Sequence, residues 1–311
     1  MKKAWMKSKP IKKLLVLALA SCLFLQGDIM ASADAIMEEA DESFEPYIAF
    51  GADLTTEEKE KVMELLGVKE EDLENYKVVE ITNKDEHTYL DDYMSADVIG
   101  TRALSSVLVV KQEADHGIGV DTHNISYCTS GMYCNALVTA GINDAEVVVA
   151  GPFAISGTSA LVGAMKAYSV MTGEEISEES MDAATNELVV TGELAESLGD
   201  AETVESFVAR VKERVVSADL KSEEEIAEAI EEVAGEFDIK LSQADKEKMV
   251  AMMGKISELD IDVDQLKEQA SAVYDKLESL VEDNKGFFAK IGEFFRKIGE
   301  AIANFFSSLF G

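Results

Sequence analysis

Between residues 105 and 150 the apolar positions come in runs or alternate, and from 158 onward they recur every three or four residues. Alternation by two sends side chains to opposite faces of a strand, whereas three-four spacing lines one face of a helix. The near-continuous apolar run 105–111 therefore reads as a strand. So does 117–127, where Ile118, Val120 and Ile125 are mixed with polar residues. The polar joint 113–117 between them reads as a hairpin turn. A helix over 131–140, a strand over 145–150 and a helix over 158–171 follow. Upstream, 54–67 reads as a helix, with Thr55 and Glu58 forming a capping box and Gly67 as its stop. A second short amphipathic piece, 70–76, leads to a strand over 78–82. A polar, turn-like stretch over 83–93 and a helical turn over 95–101 come next. Strands alternating with helices predict a mixed β-sheet covered by helices, an α+β or α/β fold.

Past Gly173 the strand pattern stops. Helical periodicity with acid-rich faces continues to residue 285, punctuated by Gly192, Gly199, Gly235 and Gly254. Ser222 caps a helix with an acidic first turn and an apolar stripe at Ile226, Ile230 and Val233. The stretch 241–254 repeats the pattern of 54–67, from hydroxyl cap to terminal glycine. Either a duplicated small helical unit or two helices obeying the same capping rules accounts for that match, and the second suffices because the match ends at the helix.

The two ends of the chain differ from its middle. Residues 1–33 have the form of an export signal: six lysines, an apolar run over 14–25, and the small-residue cleavage site Ala31-Ser32-Ala33. A minority reading is a lipoprotein anchored through Cys22, since Leu19-Ala20-Ser21-Cys22 has the form of a lipobox. At the other end, Phe288, Ile291, Phe295, Ile298, Ile302, Phe305 and Leu309 form one helical face within 286–311, a segment with four basic and two acidic residues from Lys285 onward. A Phe-rich, mildly basic amphipathic helix fits contact with a membrane surface or an envelope partner through 287–310. Docking on the protein's own core stays open. The chain thus divides into a signal (1–33), an α/β unit (34–172), an acidic helical region (173–285) and a terminal amphipathic helix (286–311).

Charge narrows the class of partner. The 311 residues carry 61 acids against 28 bases, a formal net charge of −33. Nucleic acid is not expected, because its recognition depends on Lys and Arg neutralising phosphates. No cofactor motif is present, and no Asp-x-Asp-x-Asp-Gly loop supports a calcium site.

Candidate chemistry concentrates in 105–172. Two strand-to-helix turns, Thr129-Ser130-Gly131 and Ser156-Gly157-Thr158, follow one another. If their strands share a sheet, both turns lie at its carboxyl edge. Helix N-termini there present free N–H groups suited to a small anionic ligand. Ser, Thr and Gly also open helices with no ligand at all. Weaker alternatives use Cys128 or Ser130 as the nucleophile of an exported hydrolase, with His116 or His123 as base. Cys128 and Cys134 could form a disulfide or remain thiols. His116, His123, Cys128 and Cys134 lack a zinc-finger spacing, so no metal is assigned. His87, in a polar stretch, reads as solvated.

The run SYCTSGMYCNALVTAGINDAEVVVAGPFAISGTSALVGAMKAY, with NELVVTGELAESLGD after it, resembles the DUF1002 family, the YpuA-like exported proteins of Gram-positive bacteria. The resemblance implies an envelope location and one α/β-plus-helical unit. The family carries no assigned activity, so it transfers no catalytic residue. The reading that results is a non-enzymatic envelope binding protein, leaning away from an enzyme, with the hydrolase as alternative.

Overall fold

The strand with the fewest polar positions takes an interior place. In a computed structural model the chain forms β1 (Tyr47–Gly51), α1 (Thr56–Leu66), a 3-10 turn (Glu70–Asn75), β2 (Lys77–Ile81), α2 (Asn83–Leu90), α3 (Ala96–Ile99), β3 (Ser106–Lys111), β4 (Ile118–Ile125), α4 (Ser130–Thr139) and β5 (Ala145–Ile155). Five helices follow: α5 (Thr158–Thr172), α6 (Glu178–Leu198), α7 (Ala201–Ser217), α8 (Glu223–Glu236) and α9 (Gln243–Ser257). The structure describes residues 36–267, except 38, 39, 42, 115, 174, 264 and 265. The signal over 1–33 and the amphipathic segment 286–311 lie outside the described residues.

The five strands make one mixed sheet in the order β2-β1-β3-β5-β4. β1 is parallel to β2 and antiparallel to β3. β5 is antiparallel to β3 and parallel to β4. This is an α+β fold. It corrects the hairpin expected at 113–117, because β5 lies between β3 and β4. The reason is burial on both faces. Val147 and Val149 face the core under α4 and α5, while Val148 and Ala150 face the core under α1. An interior strand must be apolar on both sides. β4 carries Asp121, His123 and Asn124 and is suited to the edge.

Three further corrections concern helices. Residues 83–90 are not a turn but α2, because Thr82 and Asp85 form a reciprocal capping box. Gly192, Gly235 and Gly254 do not interrupt the chain; each lies inside a helix. Gly192 serves packing instead, since a Cβ there would come 2.5 Å from the Tyr127 hydroxyl. Gly67, Gly173 and Gly199 do end helices, each in the left-handed conformation that favours glycine.

Helix α6 links the two halves. Its Met181, Ala184 and Leu188 join the sheet core, while Ala183, Val190 and Leu194 join the core of α7–α9. Buried polar groups mark this seam. The Lys212 ammonium, fully buried on α7, lies 3.0 Å from Glu187 Oε1 of α6 and donates to the Asn135 carbonyl of α4 at 2.8 Å. Among the described residues no helix is long and apolar enough to cross a membrane.

Candidate functional site

Because β4 and β5 run parallel and adjacent, their carboxyl ends share one edge of the sheet. The two Ser-Gly turns therefore meet. The Ser126 N–H donates to the Ile155 carbonyl at 2.8 Å and the Cys128 N–H to the Ser156 carbonyl at 3.0 Å. The Tyr133 hydroxyl on α4 donates to the Gly157 carbonyl. Gly157 sits at φ +98°, and a Cβ there would come 2.5 Å from that hydroxyl. Glycine is required twice over at this position.

The strand β5 leaves the ladder just before this edge. His123 pairs with Ala150 and Ile125 with Ile155, so residues 151–154 bulge outward opposite Asn124 alone. Asn124 takes φ +58° and donates from its side chain to the Gly151 carbonyl at 3.1 Å. The bulge leaves Phe153 about half exposed. Within it, the Ile155 side chain lies over Gly151, where a Cβ would come 2.7 Å from it. Bulges of this kind re-aim side chains beside functional sites.

The two helix starts have different fates. At α4, Thr129 caps the Met132 N–H at 3.2 Å and donates its hydroxyl to the Glu205 carboxylate of α7. Asn135 holds the Glu205 carbonyl at 3.1 Å, and a Cβ on Gly131 would collide with the same carboxylate. The protein's own acid thus covers the α4 terminus. At α5, the Thr158 hydroxyl donates to Glu86 Oε1 at 2.8 Å, and Asn83 donates to Glu86 Oε2 at 3.2 Å. Burial holds the Glu86 carboxyl above the usual carboxylate range, outweighing these hydrogen bonds.

Beside Glu86 the second turn stays open. A cavity of about 270 Å3 is lined by residues 98–102, 104, 105 and 155–159 together with Glu86. Ser105, Ser156, Thr158 and Ser159 supply hydroxyls; Ile99, Leu104 and Ile155 supply apolar surface; Arg102 and Glu86 supply charge. Arg102 is held by the Asp53 carbonyl and Glu58 Oε2, both at 2.7 Å from Nη2. The Ser105 and Ser159 hydroxyls meet at 2.6 Å, and Ser105 also accepts from the Ala160 N–H at 3.0 Å. The arrangement can hold a small polar molecule, offering it hydroxyls, apolar surface and charged groups of both signs.

The model of DUF1002, a family of proteins of unknown function, matches residues 50–273. The protein "Uncharacterized protein YpuA" of Bacillus subtilis (strain 168) is 35% identical over 290 residues, covering 92% of this chain and 96% of its own length. The chain belongs to the DUF1002 family. No solved structure matches it.

In this DUF1002 chain the other sequence candidates separate. The Cys128 thiol is fully buried, which pushes its pKa up to about 12 even though the Tyr133 hydroxyl bonds to it. Ser130 Oγ lies 3.4 Å from Thr122 Oγ1, on the face of β4 that meets α4. His123 is one residue on, so it points to the opposite face, with Nε2 3.3 Å from Asp121 Oδ2. His116 Nε2 reaches Glu146 Oε1 at 2.9 Å on that same far face. Neither pairing supplies a base for Ser130. Cys128 and Cys134 are not joined by a disulfide, and the Cys134 sulfur faces the Ile118 carbonyl at 3.7 Å. His87 lies on α2, with Nδ1 2.5 Å from Asp91 Oδ1, which raises its pKa. The membrane-contact candidates Phe288 to Leu309 fall outside the described residues.

Sequence reasoning placed Ser159 at the second turn but missed Glu86, Arg102, Ser105 and Glu205. For Glu86 a signal existed. The Thr82–Asp85 capping box places 83–90 in a helix, and Glu86 then shares the inner face with Leu90, four residues on. Glu205 and Arg102 carry no local signal, because each comes to the site from a distant element.

Proposed function

We propose that this protein is an exported cell-envelope binding protein, not a hydrolase. Its ligand site is the cavity beside the β5–α5 turn, and it takes a small molecule bearing an anionic group. The observation that carries this reading is the cavity itself: it opens on the start of a 15-residue helix and is lined by Ser156, Thr158, Ser159 and Arg102. Helix starts and guanidinium groups both favour negative charge, and hydroxyls orient it. Of the two doubled turns, Ser156-Gly157-Thr158 is then the ligand-binding one. Thr129-Ser130-Gly131 has a structural part, because Glu205 already fills its anion position. Export through 1–33 and peripheral membrane attachment through 287–310 complete the proposal, on the strength of the sequence patterns there.

A thermal-shift screen with small carboxylates, inorganic phosphate and cell-wall fragments tests the cavity. A bound ligand raises the melting temperature by mass action. The expected result is a stabilising compound whose effect disappears in Arg102→Ala. A screen with no stabilising compound, or a shift that Arg102→Ala leaves intact, removes the reading.

A further inference from the structure

We propose that the ligand of this cavity is a zwitterion with a short apolar body, an amino acid or the end of a small peptide. Its carboxylate meets Arg102 and its ammonium meets Glu86. The inference rests on the binding-site reading above and names the ligand class for it.

Three observations point the same way. The first is the balance of charge around the cavity. Arg102 does not offer a bare positive charge, because Glu58 Oε2 lies 2.7 Å from its Nη2 and the Asp53 carbonyl at the same distance. The Asp53 carboxylate is also close, accepting from the Ala103 N–H at 2.8 Å. A simple anion would meet one guanidinium flanked by acids, in a cavity that Glu86 also lines. A ligand that brings its own cation removes that conflict, since oppositely charged groups attract strongly in a partly desolvated site.

The second is the state of Glu86. It is 1% exposed yet lines the cavity. Its two oxygens accept one hydrogen bond each, from Thr158 and Asn83. A carboxylate has further acceptor capacity beyond those two. An ammonium placed against it would stabilise the ionised form that burial disfavours. Arg102 likewise spends only its Nη2 on Asp53 and Glu58, and the planar fork of a guanidinium retains donors for a carboxylate.

The third is size and texture. About 270 Å3 lies just below the usual range for ligand sites, a size that suits a molecule as small as an amino acid. Ile99, Leu104 and Ile155 line it together with Arg102 and Glu86, and Val98, also in the lining, is 41% exposed. An aliphatic side chain fits such walls.

Isothermal titration of the whole protein with leucine, N-acetylleucine and leucinamide tests the assignment. N-Acetylation removes the ammonium and amidation removes the carboxylate, while the aliphatic body stays constant. The expected result is measurable leucine binding, weakened at least tenfold by either change. Glu86→Gln should weaken leucine by a similar factor and abolish its preference over N-acetylleucine. The leucine series on the native protein keeps the test valid even if that variant folds poorly. N-Acetylleucine binding as tightly as leucine overturns the zwitterion and leaves the anion site standing. Leucinamide binding as tightly as leucine removes the Arg102 contact, and with it the parent reading. Failure of all three compounds to bind overturns the zwitterion, and the parent reading is then decided by its own anion screen.

Discussion

Asp85 and Glu86 are sequence neighbours on α2 with opposite proton affinities. Burial would raise Asp85, but Lys166, with Nζ 2.5 Å away, and the Thr82 cap outweigh it and hold the carboxyl down to about 2. Glu86, one position on, faces the interior, where burial wins and its pKa rises. The two act on stability in opposite directions. Stability from Asp85 is present above its unfolded value of 3.8 and is lost as pH falls toward 2. Glu86 disfavours the folded state as pH rises from its unfolded value of 4.5 through its raised folded value. Urea unfolding from pH 2 to 7 checks both. Asp85→Asn should flatten the acid limb, and Glu86→Gln should remove a decline on the rising side. An unchanged acid limb in Asp85→Asn would mean that the Lys166 contact contributes nothing.

At the scale of elements, the polar seam between α4, α6 and α7 decides how the helical region sits on the sheet. Lys212 contacts Glu187, the Thr139 hydroxyl at 3.1 Å and the Asn135 carbonyl at 2.8 Å, all without solvent. Glu187 is held above the usual carboxylate range by burial, despite the attraction of Lys212. A buried pair is strongly destabilising to break but often near neutral to replace as a whole. Lys212→Met alone should therefore cost about 3–5 kcal/mol, because Glu187 is left buried without its cation. Lys212→Met with Glu187→Met should recover most of that loss. Denaturant midpoints for the two variants provide the check, and a double variant no better than the single one would count against a paired role. The elements themselves were largely legible. Capping residues Thr55, Thr129, Ser177 and Ser222 each accept from the backbone where local rules place them. Strand pairing was not legible. The 113–117 joint looks like a hairpin because local pattern says nothing about a later strand, β5, inserting between β3 and β4.

For the whole molecule, the proposed attachment through 287–310 makes a separate prediction. Full-length mature protein should float with liposomes, and a version ending at Asn284 should stay behind. Equal flotation of the two would remove the membrane contact from the proposal and leave the cavity untouched. The acidic chain, at −33 overall, is repelled by an anionic bilayer, so the Phe-rich face has to supply the binding energy.

Composition and periodicity by themselves determined the fold class, most of the helices, four of the five strands and the position of both Ser-Gly turns; β1, in a short mixed stretch, was not separable from a loop. Those features follow from local physics: spacing, capping and the backbone freedom of glycine. The sequence also indicated that the two turns would share an edge if their strands shared a sheet. Only the tertiary structure decided that β4 and β5 pair in parallel and that Glu205 closes one turn while a cavity opens at the other. It also brought Arg102 and Glu86 into the lining of that cavity. These outcomes depend on residues brought from α2, α7 and the 98–105 segment, and no local rule links such distant stretches of chain. Charge balance in a buried site is a property of the assembled neighbourhood, and here it turned a pair of ordinary helix starts into one structural cap and one candidate binding site.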